Sequence, residues 1–124
     1  MKILLVDDEV ELITALAERL SLRGFRTACA YTGDEAIELV RKESFRVAIL
    51  DVKMPGLSGV DLMNALRKIQ PSLQIIFVTG HGSENDYREC SRRAWCETII
   101  KPIKIDELVE QIENAGKNGE GDRK

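Results

Sequence analysis

A chain of 124 residues fits one domain whose core can be large enough to fold without cross-links. Hydrophobic residues make up 44% and charged residues 31%, an ordinary balance for a globular protein. No apolar run approaches the roughly 20 residues of a membrane span. The 18 Lys/Arg against 21 Asp/Glu leave a net charge of −3, which argues against nucleic-acid binding by this domain. The opening Met-Lys-Ile-Leu-Leu-Val is too short, and too quickly followed by acids, for a signal peptide, so a cytoplasmic setting without membrane association is expected. Cys29, Cys90 and Cys96 are odd in number and lack metal-type spacing, so reduced thiols in or near the core are expected. His81 has no His or Cys neighbour with which to hold zinc.

Residues 3–6 are a short apolar run rich in branched side chains, as expected of a buried parallel strand. Leu12, Ile13, Leu16, Ala17 and Leu20 then follow helical spacing, and Arg23-Gly24 stops that helix. Residues 25–30 alternate more, which suits an edge strand. Thr32-Gly33-Asp34 opens a second helix through Ala36, Ile37 and Val40, and residues 47–50 form another buried strand. The loop Met54-Pro55-Gly56-Leu57-Ser58-Gly59 precedes a helix marked by Leu62, Met63, Leu66 and Ile69, which Pro71 ends. Residues 75–78 form a fourth strand. Residues 83–94 read as a helix with few apolar anchors, Tyr87, Cys90 and Ala94. A short fifth strand spans 98–100, and Ile105, Leu108, Val109 and Ile112 make an amphipathic last helix. One domain over residues 1–115 is expected, with 116–124 a flexible tail or the start of a linker. Five βα units in succession predict an α/β fold, a doubly wound parallel sheet with helices on both faces. Two strand orders are common for such sheets, and periodicity alone does not choose between them.

Ligands in open α/β sheets bind beyond the carboxyl ends of the strands. Asp7-Asp8 follow the first strand, Asp51 the third, Thr79-Gly80 the fourth and Lys101-Pro102 the fifth. Taken singly these are a helix cap, a turn residue or a solvated charge; sharing one end of the sheet, they suggest a site. Clustered carboxylates repel one another, and a hard divalent cation such as Mg²⁺, held by one or two carboxylates with a phosphate oxygen, relieves that repulsion. A remaining carboxylate can act as a nucleophile toward a phosphoryl donor. Lys101 and the cation would neutralise the transferred charge, with the Thr79 hydroxyl and the Gly80 N–H bonding its oxygens.

The pair Asp7-Asp8, the pattern D-x-x-M-P-G-x-S-G from Asp51, Thr79-Gly80 and Lys101-Pro102 together closely resemble the receiver domains of two-component response regulators, over residues 2–115. The resemblance implies the flavodoxin-like strand order 2-1-3-4-5. It implies Asp51 as phosphoacceptor, and Mg²⁺ bound by Asp8, Asp51 and the backbone carbonyl of Lys53, with Asp7 acting through water. It also implies Thr79 as the switch hydroxyl, Lys101 as the phosphate-binding lysine, and a cis bond before Pro102. Such a domain is no enzyme beyond its own phosphorylation and dephosphorylation. Its partners would be a sensor histidine kinase or phosphotransfer protein, and an output domain or protein meeting the face of the fourth helix, fifth strand and fifth helix. A homodimer on phosphorylation is a further possibility of the family.

The sequence departs from that pattern at Thr98, where most receivers carry an aromatic or His switch residue. Trp95 either supplies the missing bulk from nearby or packs against the last two helices. Lys53 and His81 stand at variable positions that flank the acyl phosphate in the family, or else point to solvent. A flavodoxin would need a Ser/Thr/Gly-rich phosphate loop where this chain has Asp7-Asp8-Glu9. A haloacid-dehalogenase phosphatase would need D-x-D after the first strand. A receiver-like interaction module that is not regulated by phosphorylation is the remaining alternative, kept open by Thr98.

Overall fold

A computed structural model describes residues 2–51, 58–80 and 84–121. Five strands and five helices alternate: β1 (Lys2–Val6), α1 (Val10–Leu22), β2 (Arg26–Ala30), α2 (Gly33–Lys42), β3 (Val47–Asp51), α3 (Gly59–Ile69), β4 (Gln74–Thr79), α4 (Glu84–Ser91), β5 (Cys96–Ile100) and α5 (Ile105–Gly121). The sheet is wholly parallel in the order β2-β1-β3-β4-β5, the flavodoxin-like order that the resemblance implied. Every residue of β3 and β4 is buried, which is why these central strands read as unbroken apolar runs. The edge strands β2 and β5 are partly exposed instead.

Strand alternation divides the core into two faces. Leu4, Val6, Ala48, Leu50, Ile75 and Phe77 point to the side covered by α2, α3 and α4. Ile3, Leu5, Val47, Ile49, Ile76 and Val78 point to the side covered by α1 and α5. Complete burial of each Leu, Ile, Val or Phe side chain among them contributes about 2 kcal/mol. Helix ends carry local signals. Thr32 and Ser58 cap α2 and α3 by accepting from the N–H groups of Glu35 and Asp61, both at 3.1 Å. At the end of α1, Gly24 adopts φ 89°, and Gly24 and Phe25 donate back to Ser21 (3.0 Å) and Leu20 (3.1 Å), a Schellman stop that needs a residue tolerant of the left-handed region.

Four local expectations need correction. Cys90 and Cys96 are not reduced thiols but a disulfide, and of the three cysteines only Cys29 is free. The same link shortens α4. Six more residues of helix would separate the two Cα atoms by about 9 Å, whereas they lie 5.3 Å apart because the chain turns back after Ser91. Ala94 consequently lies in an exposed turn, and β5 begins at Cys96 instead of residue 98. Helix α5 continues to Gly121, past the expected tail boundary; Gly116 is buried, with its carbonyl 3.5 Å from Arg46 Nη2. A glycine inside a helix costs about 1 kcal/mol and does not by itself end it. Among the described residues, no helix is long and apolar enough to cross a membrane.

Candidate phosphoacceptor site

The parallel register brings the chemistry to one level. Val6 pairs with Leu50, Asp51 with Val78 and Thr79 with Ile100, so Asp7, Asp51, Thr79 and Lys101 emerge side by side at the carboxyl edge. Two backbone bonds extend the ladder there: the Asp7 N–H donates to Ala30 O at 3.1 Å, and the Lys101 N–H to Thr79 O at 2.8 Å. Their side chains are therefore set by the sheet rather than by loose loops.

Asp7, Asp8 and Asp51 form an acidic cluster in which one carboxylate oxygen from each lies within 4.8 Å of the others. Asp7 and Asp51 are buried, whereas Asp8 is exposed and opens the cluster to solvent. Burial pushes the Asp7 carboxyl up to about 6, and the nearby Asp51 adds to the rise. A hydrogen bond from the Glu9 N–H to Asp7 Oδ1, at 3.0 Å, and the charge of Lys101 pull the other way. Lys101 Nζ lies 3.5 Å from Asp51 Oδ2 and 3.9 Å from Glu9 Oε1. Glu9 is thus a neighbour of the site that sequence reading did not single out. Its only signal is its place in the acidic run with Asp7 and Asp8.

Thr79 is buried, and among the described residues its Oγ1 has no hydrogen-bond partner. A buried hydroxyl left unpaired costs about 1–3 kcal/mol, which marks it as a group awaiting a partner. Gly80 follows it, half-buried, and the Lys101–Pro102 bond is cis. Gly80, Lys101, Pro102 and Ile103 also line a groove of about 550 Å³ whose other wall is α1, at Leu12, Leu16 and Arg19. A donor set of oxygens alone suits a hard cation such as Mg²⁺ and not a thiophilic one. Lys53, implied to lend a carbonyl, and His81 lie outside the described residues.

Thr98 points to the α4 side of β5 with Cys96, opposite Phe77 in the register. It lines a cleft of about 310 Å³ together with Cys90, Arg93, Cys96 and Glu97. Trp95 does not fill that place. It sits half-buried before β5, with the guanidinium carbons of Arg67 and Arg93 at 4.2 and 5.6 Å from its ring centroid. Trp95 therefore packs, but on the α2–α4 side beside α3 and not against α5.

A five-stranded parallel sheet in this order, with three carboxylates, a lysine and a buried hydroxyl at its carboxyl edge, defines a signalling domain of the receiver class. The family model for the response regulator receiver domain matches residues 3–113, and the chain belongs to that family. Sporulation initiation phosphotransferase F of Bacillus subtilis is 29% identical over 111 residues, covering 90% of each chain. The transcriptional regulatory protein CpxR of Escherichia coli is 37% identical over 111 residues, 90% of this chain and 47% of that protein. The chain spans only about a quarter of another relative, GlrR of Escherichia coli, at 30% identity and 26% of its length. Among solved structures, a receiver domain protein from Clostridium thermocellum superposes with a TM-score of 0.90 at 30% identity, over 96% of both chains. A CheY-like receiver from Methanospirillum hungatei gives 0.90 at 27% identity, over 98% of this chain and 97% of its own.

Proposed function

We propose that this receiver domain accepts a phosphoryl group on Asp51 from a sensor histidine kinase, a phosphotransfer protein or a small phosphodonor, and passes the event on as a change of conformation. The observation that carries this reading is the meeting of Asp51 with Asp7, Asp8, Lys101 and the unpartnered Thr79 hydroxyl at one edge of the sheet. Asp7, Asp8 and Asp51 would hold Mg²⁺, with the Lys53 carbonyl as a further ligand. When bound, the ion supplies charge neutralisation for the carboxylates and the incoming phosphoryl oxygens.

The residues do the rest. An Asp51 oxygen attacks phosphorus as the bond to the donor breaks, and the donor leaves with the electron pair. Lys101, 3.5 Å from Asp51, shifts its ammonium to the added phosphoryl oxygens. Thr79 Oγ1 donates to one of them, which satisfies its missing hydrogen bond, and the Gly80 N–H would do the same. Because Thr79 ends β4 and Lys101 follows β5, their movement is handed to α4, β5 and the start of α5. That face would meet an output domain, a protein partner or a second phosphorylated copy, and the domain would work in the cytoplasm.

Incubation with acetyl phosphate and Mg²⁺, read by intact mass, should add one phosphoryl group, with none added to Asp51→Asn. Uptake by that variant would overturn the assignment. Thr98, with a cleft where the family carries a ring, favours a second reading, a receiver-like interaction module not regulated by phosphorylation. It predicts no change in α4 exchange or oligomeric state after proven phosphoryl uptake.

A further inference from the structure

Helix α4 meets the core at Cys90. Of its four side chains at residues 88–91, only Cys90 is buried. Cys90 is also held covalently: it is bonded to Cys96, the first residue of β5. We propose that Cys90 and Cys96 form a thiol–disulfide exchange site, at which a dithiol reductant opens the link between α4 and β5 and a disulfide oxidant restores it.

Three observations support this. A cleft of about 310 Å³, lined by both cysteines and by Ser91, Arg93, Ala94 and Thr98, gives a small thiol a place to enter beside the link, whose residues are themselves 1% and 5% exposed. Arg93, which lines the same cleft, brings a positive charge to it, partly offset by Glu89 at 3.0 Å. The cysteines are only six residues apart, and the turn between them has its own hydrogen bonds, Arg93 N–H to Cys90 O at 3.0 Å and Cys96 N–H to Arg93 O at 3.2 Å. Opening the link therefore releases α4 without removing a long-range tie from the fold. In a reducing compartment such as the one proposed above, disulfides are mostly transient or redox-sensing.

The exchange balances without any further reactant. One thiolate of the dithiol attacks a cysteine sulfur, the S–S bond breaks, and the other cysteine leaves as a thiolate and takes up a proton. The second thiol then resolves the mixed disulfide. Two electrons and two protons have passed to the cysteine pair, and the reductant ends as a disulfide. Cys29 does not compete: it lies on β2 at the opposite edge of the sheet, and burial pushes its thiol above the ordinary range.

The inference is independent of phosphoryl chemistry, and so is its test. The full chain is compared untreated, treated with dithiothreitol, and reoxidised with glutathione disulfide, by thiol alkylation without denaturant and by hydrogen exchange. Dithiothreitol should expose two alkylatable cysteines beyond Cys29 and speed exchange across residues 84–91 by roughly tenfold. Residues 10–22 should be unchanged, and reoxidation should restore protection. The double variant Cys90→Ser with Cys96→Ser should match the reduced protein and ignore dithiothreitol. Cysteines that react only after unfolding, α4 exchange indifferent to reduction, or a response retained by the double variant would each overturn the proposal.

Discussion

Replacing Asp7 by Asn should stabilise the metal-free domain at neutral pH, although it removes a group from the proposed site. Asp7 is 5% exposed and shares its cluster with two more carboxylates. Its carboxyl is raised from the ordinary 3.8 to about 6, chiefly by burial. The folded state therefore holds the Asp7 proton more tightly than the unfolded chain does. Stability attributable to this residue is greatest below pH 3.8, falls as pH rises toward about 6, and stays low above that. At 1.36 kcal/mol per pH unit the ionised carboxylate costs on the order of 3 kcal/mol. Asn carries no such charge, and its side-chain oxygen can still accept the Glu9 N–H now 3.0 Å from Asp7 Oδ1.

The assay is urea unfolding in EDTA, followed by Trp95 fluorescence. With a slope of about 1–3 kcal/mol per molar urea, the midpoint of Asp7→Asn should rise by roughly 1–3 M at pH 7.5. At pH 4 most of that gain should vanish. Added Mg²⁺ should close the gap from the other side, because it stabilises a chain with all three carboxylates more than one with two. An Asp7→Asn midpoint at or below the parent's at pH 7.5, or an equal gain at both pH values, would refute the reasoning.

Lys101→Ala removes the cation 3.5 Å from Asp51 and should slow phosphoryl uptake from acetyl phosphate on the order of a hundredfold, read as an intact-mass time course. Thr79→Val replaces a buried, unpaired hydroxyl with a methyl of similar size. Urea unfolding should find it equal to the parent or up to about 1 kcal/mol more stable, while hydrogen exchange in α4 should no longer respond to beryllofluoride. Gly24→Ala forces a side chain into φ 89° and should cost about 1 kcal/mol in the same unfolding assay, far from the site and without effect on uptake.

Much of this was legible in the sequence, for physical reasons. Central strands such as β3 and β4 are buried on both faces and read as apolar runs, while Gly24 and Thr32 mark helix ends through local backbone chemistry. The site was legible because a parallel sheet places every strand's carboxyl end at one edge, so Asp7, Asp51, Thr79 and Lys101 needed only correct strand ends to be grouped. Periodicity left the strand order open; the order rested on the resemblance. The cysteine link was illegible because it depends on a reversal after Ser91, and a spacing of six suits a polar helix as well as a turn. Glu9 was missed for a similar reason. Its approach to Lys101 depends on how the chain enters α1, which no residue pattern fixes.

Strand β5 joins the two chemistries. It begins at Cys96, bonded to α4, and ends at Ile100, one residue before Lys101 beside Asp51. Five extended residues span about 17 Å, and Thr98 at their middle leaves open the cleft between strand and helix. On the two proposals above, charge added at Asp51 would pull on one end of this strand, and the cysteine pair would decide whether its other end is fastened to α4. Both would act on the same helix–strand pair, which would link them thermodynamically, and any such linkage is reciprocal. If opening the cysteine link changes the affinity for beryllofluoride by some factor, beryllofluoride must shift the thiol–disulfide equilibrium of Cys90 and Cys96 by the same factor. Two equilibrium titrations would measure that factor independently, and a factor of one in both would mean that α4 and β5 do not couple the two events.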